Sequence, residues 1–148
     1  MITEDYVSFE TAKLLREKGF NECCKSVYHI GSVCSVASLG YHDNEGYGAV
    51  IDEKQNSDFG KYYNAISAPT LQMAMKWLRK VHNQIIVPNV RVEDPISGII
   101  NCYIVGIWYI PKNNDGAFCY TSPTPYNGYP TFEEACEAGI KYCLENLI

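Results

Sequence analysis

Thr131-Phe132-Glu133-Glu134-Ala135-Cys136-Glu137-Ala138-Gly139-Ile140-Lys141-Tyr142-Cys143-Leu144-Glu145-Asn146-Leu147 is the stretch that decides how this chain folds. Thr131 followed three residues later by Glu134 has the form of a capping box. Behind it Phe132, Cys136, Ile140, Cys143 and Leu147 recur at helical spacing. A helix with so complete an apolar stripe has to dock on a core. Residues 99–110 offer one. Ile100, Cys102, Ile104, Gly106, Trp108 and Ile110 alternate with Ile99, Asn101, Tyr103, Val105, Ile107 and Tyr109, so both sides are largely apolar. A strand of that kind lies in the middle of its sheet or is covered on both faces.

Outward from these two elements the punctuation is regular. Ser8 is a good N-cap and Gly19 a good left-handed terminator, so a first helix runs between them with Val7, Phe9, Ala12, Leu15 and Phe20 toward the core. Residues 23–40 switch to a period of two, and Gly31-Ser32 carries the signal of a two-residue type II′ hairpin. That turn opposes His29 to Cys34. It puts Cys24, Tyr28, Ile30, Val33, Ala37 and Leu39 on the core face, and Lys25, Val27, His29, Cys34 and Val36 on the other. Asp43-Asn44-Glu45-Gly46 predicts a turn into a short strand over 47–51, and the polar stretch 52–60 an exposed loop. A second long helix begins near Pro69-Thr70, with proline in its first turn. Leu71, Ala74, Met75, Leu78, Val81 and Ile85 form its inward stripe, and Lys76, Arg79, Lys80 and Asn83 its outer face. Pro88 makes residues 85–92 an edge or bulged strand. Residues 94–98 form a turn, residues 117–121 a last short strand, and residues 122–130 a loop punctuated by prolines and tyrosines. The order α-β-β-β-α-β-β-β-α predicts one α+β domain over 1–148, with a mainly antiparallel sheet of about five to six strands and three helices gathered mainly on one face.

Composition is that of a soluble globule, 47% hydrophobic and 20% charged, apart from twelve tyrosines. With no leader-like N-terminus and no bilayer-length apolar run, the expectation is a chain in the cytoplasm and off the membrane. Seven irregularly spaced cysteines read as small buried hydrophobes rather than a disulfide framework. The net charge of −5 is uneven. Residues 59–92 hold no acid and five bases, while both flanking regions are acidic. A basic face on the second helix lying beside the acidic last helix accounts for that pattern, with no ligand required.

Three constellations could carry chemistry. Cys34 beside His29 would be a thiol next to an imidazole, the pattern of an activated nucleophile or a metal ligand pair. No third orienting residue accompanies them, and the spacing matches no zinc signature. Lys76, Arg79 and Lys80, with Tyr62 and Tyr63 upstream, could hold an anion or single-stranded nucleic acid. A pI near 5.1 weighs against it. Tyr103 and Tyr109 on the central strand, with Tyr126 and Tyr129 on the loop, form a candidate surface for a protein partner or a second copy of the chain. There is no glycine-rich phosphate loop, GxSxG, HExxH or CxxC, and Gly46-Tyr47-Gly48 lacks the strand-turn-helix setting of a dinucleotide site.

In Val7-Ser8-Phe9-Glu10-Thr11-Ala12-Lys13-Leu14-Leu15, in residues 67–79 and in residues 132–146, the chain resembles a group of small uncharacterised proteins of gut bacteria and their phages or mobile elements. The resemblance implies an intracellular accessory protein with no assigned activity and no catalytic residues to carry over. The expectation is therefore a non-enzymatic cytoplasmic domain, without cofactor or metal, that binds another protein or itself as a homodimer. A small Cys/His-dependent enzyme or metal-binding protein is the first alternative, and a nucleic-acid binder through the basic helix face the second.

Overall fold

The computed structural model describes residues 4–29, 32–39, 53–59, 65–92, 96, 100–112 and 116–148. Among these described residues, three α-helices and six strands in two three-stranded antiparallel sheets make an α+β fold in the predicted element order. Contacts gather into two units, Met1–Thr70 and Leu71–Ile148.

In the first unit, helix α1 (Phe9–Glu17) starts where Ser8 Oγ accepts the Thr11 N–H, and ends at Gly19 with φ of 92°. Val7, Ala12, Leu15 and Phe20 are buried as the stripe requires. Phe9 is not. It lies at the rim, edge-on to Tyr28 and beneath the Lys13 ammonium. Strands β1 (Ser26–His29), β2 (Ser32–Ser35) and β3 (Ala65–Ser67) form a sheet in the order β2-β1-β3. The third strand of this order was not anticipated, because three residues carry too little alternation to stand out. The predicted strand over 47–51 and its preceding turn lie outside the described residues. So do the turn over 94–98, apart from Ile96, and residues Tyr62 and Tyr63.

The faces of this hairpin correct the expectation. Val27 and Val36 are fully buried with Phe59 and Ala65, and Cys34 packs against them, whereas Val33 is exposed. Val27, His29 and Cys34 therefore share the face that covers a core. Tyr28 points the other way, donating its hydroxyl to the Val7 carbonyl. The stretch 53–59 is likewise more than an exposed loop. Lys54 bridges Cys24 through both backbone groups, and a short 3-10 turn, Asn56–Asp58, buries Asn56. Asn56 Nδ2 donates to the Phe20 carbonyl at 2.8 Å, and its Oδ1 accepts the Ser67 N–H at 2.9 Å. One amide side chain thus ties the end of α1 to β3.

In the second unit, helix α2 (Leu71–His82) begins two residues after Pro69, which sits outside the helix and accepts the Val7 N–H. Its buried face is Leu71, Ala74, Trp77 and Leu78. The predicted stripe is turned: the large Trp77 side chain goes in, edge-on to the His82 ring, while Val81 is 55% exposed and Ile85 also stands open. Burying an indole outweighs burying an isopropyl group. Asn83, with φ of 55°, turns the chain into the next strand, the left-handed role to which asparagine is suited. Strands β4 (Ile85–Val92), β5 (Ile100–Tyr109) and β6 (Cys119–Thr121) form the second sheet, order β4-β5-β6, so the Pro88 strand is an edge and β5 is central as predicted.

Helix α3 (Phe132–Asn146) is capped by Thr131 Oγ1, which accepts the Glu134 N–H at 3.1 Å. It packs on β4, β5 and α2. Cys136, Ile140 and Cys143 are buried as expected, joined by Ala135, Gly139 and Leu144, while Phe132 is exposed and Leu147 half-buried. Burial pushes the Cys136 thiol up to about 11 and the Cys143 thiol up to about 12. Both act as small apolar core side chains. No helix among the described residues is long and apolar enough to cross a membrane.

Candidate functional site: the open face of the second sheet

Alternation along β5 and its register with β4 and β6 divide the second sheet into two faces. Ile86 opposes Ile107 and Val87 opposes Gly106, while Trp108 is flanked by Ile85 on one side and Tyr120 on the other. Helix α3 covers one face. A Cβ built on Gly139 would stand 2.9 Å from Cγ2 of both Ile86 and Val105, so only a glycine lets the helix come this close. The Tyr103 ring meets Phe132 of the same helix at 6.2 Å, edge to face. The face that carries Tyr103, Val105, Ile107 and Tyr109 is therefore the helix-covered one.

The other face is open. Trp108 is 44% and Tyr120 56% exposed, their ring centroids 5.0 Å apart, with Ile85 and Val87 exposed beside them on β4. Tyr120 lies over Gly106, where an added Cβ would meet its ring. A glycine on the central strand thus makes the shallow seat for the aromatic pair. One end of the face is closed by the proline-rich loop. Gly128, with φ of 68°, presses on the Cys102 thiol, and Arg91 Nη1 reaches the Tyr126 carbonyl at 2.7 Å.

The same loop completes the sheet on the β6 side. Ser122 and Thr124 hydroxyls bond the Val105 carbonyl, Thr124 Oγ1 accepts the Val105 N–H at 2.9 Å, and Tyr103 and Tyr129 exchange two backbone hydrogen bonds at 2.8 Å. Hydroxyls stand in where Pro123 and Pro125 have no N–H to give. Because Val105 and Tyr103 direct their backbone groups toward the loop, their partners Pro88 and Val90 direct theirs to the free edge of β4. There Pro88 has no N–H, the Val90 N–H is taken by Asn89 Oδ1 at 2.8 Å, and the register shifts after Arg91. Such an edge is blunted against strand addition.

The candidate residues fall differently from their sequence grouping. Tyr103 and Tyr109, both half-buried, belong to the helix-covered face. Tyr129 is a staple of the loop, its hydroxyl donating to the Pro123 carbonyl and its ionisation pushed upward by burial. Tyr126, 94% exposed, is in the loop segment that bounds the open face. Trp108 and Tyr120, outside that grouping, are the exposed aromatics of the open face, and Gly106 beneath the Tyr120 ring is the sequence signal that marks it. His29 pairs with Ser32, and Cys34 with Val27, so the pairing is displaced by two residues and His29 and Cys34 are diagonal neighbours on one face instead of directly opposed. Cys34 abuts the apolar cluster instead, because this register brings it opposite the fully buried Val27. Cys24, a neighbour in sequence of that strand, has its thiol pushed up to about 11, mainly by burial. Among the described residues no group of three or more His, Cys, Asp or Glu could hold a metal ion. Lys76, Arg79 and Lys80 are exposed on α2, which packs against α3, and none of the three is ion-paired among the described residues. In comparisons with known proteins the chain matches no family model, no curated protein and no solved structure.

Proposed function

We propose that this chain is a non-enzymatic protein-interaction domain that engages a partner protein or a second copy of itself through the open sheet face at Ile85, Val87, Trp108 and Tyr120. The observation that carries the reading is the Trp108–Tyr120 pair: two large aromatics side by side in solvent, on a sheet whose other face carries α3 and whose β4 edge is blunted. Tryptophan and tyrosine dominate binding energy at interfaces, where truncating a central one costs about 2 kcal/mol or more, roughly thirtyfold in affinity. Buried thiols at Cys24, Cys136 and Cys143, used as core side chains, fit a reducing compartment, and the reading is of a cytoplasmic accessory protein.

Site-specific photo-cross-linking tests this. A benzophenone amino acid at position 120 or 87 should yield a discrete cross-linked product in cells, and the same group at position 109 or 76 should not. Equal products at all four positions, or none at 120 and 87, would remove the reading.

A further inference from the structure

We infer that the first unit carries a binding site for a small apolar monocarboxylate, in a cavity of about 470 Å³ lined by Lys13, Arg16 and Glu17 of α1 and by Ile66 of β3. All four residues belong to the first unit, so the inference goes beyond the surface reading above and stands or falls separately from it.

Helix and sheet build the site together. Phe9, Lys13 and Arg16 follow one another at i, i+4 and i+7, so they share one flank of α1. Ile66 opposes Tyr28 across the β1 and β3 ladder, which puts both side chains on one face of the first sheet. The Tyr28 ring meets the Phe9 ring at 5.4 Å, and the Lys13 ammonium stands 4.7 Å from the centre of that same Phe9 ring. A half-buried apolar floor of Ile66 and Tyr28 thus adjoins the exposed cations of the helix. The helix dipole accounts for basic residues late in α1, but not for an apolar floor beside them.

The ligand class follows from charge and lining. Neither the Arg16 guanidinium nor the Glu17 carboxylate has a hydrogen-bond or ion-pair partner among the described residues. A planar fork of N–H donors suits a carboxylate, which it can hold through two parallel hydrogen bonds. Lys13 and Arg16 against Glu17 leave the cavity wall with one net positive charge, which a monoanion matches. A phosphate monoester, carrying about −1.5 to −2, would bring a surplus of negative charge against Glu17. The volume falls within the ~300–1,000 Å³ of sites for small organic ligands and exceeds what an inorganic ion needs. The carboxylate would therefore sit at Arg16 and Lys13, with the hydrocarbon body on Ile66 and Tyr28.

Octanoate is the probe, titrated into the full-length isotope-labelled protein and followed through the Ile66 methyl and Arg16 side-chain NMR signals. The expected result is a saturable shift centred on these two residues. Octanamide and inorganic phosphate should each bind at least ~10-fold more weakly, and Arg16→Ala should weaken octanoate by ~10-fold. Position 16 is exposed and alanine is a good helix former, so an unchanged unfolding midpoint verifies that the variant folds. Octanamide binding as tightly as octanoate would show that the cations take no part, and phosphate binding as tightly would show that the apolar floor takes none; either overturns the inference. So would octanoate shifts centred on Trp108 instead of Ile66, undiminished affinity in Arg16→Ala, or no saturable shift at all. The octanamide and phosphate comparisons use the unaltered chain, so they decide the matter even if Arg16→Ala fails to fold.

Discussion

Gly139→Ala puts the seating of α3 on the sheet to a quantitative test. On an exposed helix this change stabilises by about 1 kcal/mol, since alanine is the better helix former. At position 139 the new methyl group would stand 2.9 Å from Cγ2 of Ile86 and of Val105, nearer than real Cβ contacts allow. Both neighbours are β-branched side chains in a packed core, stiff at χ1, so they cannot simply swing aside. Overpacking of this kind costs about 1–3 kcal/mol, so the steric cost should exceed the propensity gain and leave the variant destabilised by about 1 kcal/mol. Denaturant unfolding followed by tryptophan fluorescence reads this as a lowered midpoint at constant slope. Val105→Ala removes one of the two opposing methyl sources, at its own cost of about 1.6 kcal/mol for two methyl groups. In that background Gly139→Ala should recover much of its penalty, a coupling of about 0.5–1 kcal/mol. A Gly139→Ala variant that is more stable than the parent by about 1 kcal/mol would refute the reasoning, because glycine would then have no close neighbour to make room for.

Three further outcomes follow from particular residues. Asn56→Ala removes the amide's hydrogen bonds to the Phe20 carbonyl and the Ser67 N–H and should cost about 1–3 kcal/mol in unfolding free energy; a loss under about 0.5 kcal/mol would mean the bridge is dispensable. Burial holds the Cys24, Cys136 and Cys143 thiols at about 11, 11 and 12 against 9.0 for an ordinary thiol, so the folded chain keeps protons that the unfolded chain gives up. That stabilisation is whole below pH 9 and is lost as pH climbs toward 11–12. Unfolding midpoints should therefore fall through this alkaline window, and less steeply in a Cys136→Ala/Cys143→Ala variant; identical slopes for the two proteins would contradict the assignment. Pro88→Val with Asn89→Ala restores a strand N–H and frees another on the β4 edge, so the double variant should associate with rising concentration in light scattering, and a variant as monodisperse as the parent would show that the edge needs no blunting.

Much of this architecture was legible in local chemistry. Ser8, Gly19 and Thr131 mark helix ends through backbone groups within a few residues, and Pro88 marks an edge because a missing N–H is tolerated only there. What the sequence concealed depends on packing between distant elements. Along β5 both alternating sets are apolar, so alternation cannot tell which one meets the helix, and Tyr103 and Tyr109 lie on the side that does. The distinguishing residues were two glycines: Gly139, where the helix closes on the sheet, and Gly106, where an aromatic ring lies on the strand. The hairpin register slipped by two residues because Gly31-Ser32 satisfies a turn rule locally, while the pairing also has to seat Val27, Cys34 and Val36 on Phe59 and Ala65. Asn56 could not be singled out from sequence, since its two partners lie 36 and 11 residues away.

The central claim is that the Trp108 side of the second sheet is the free one, and the chain holds one tryptophan on that face and one in the core. Acrylamide quenching of the single-tryptophan variants Trp77→Phe and Trp108→Phe compares them directly. The account requires strong quenching and red-shifted emission from Trp108, with Trp77 shielded. A Trp108 as protected as Trp77 would mean that this face is already covered, and the proposed docking surface would not exist.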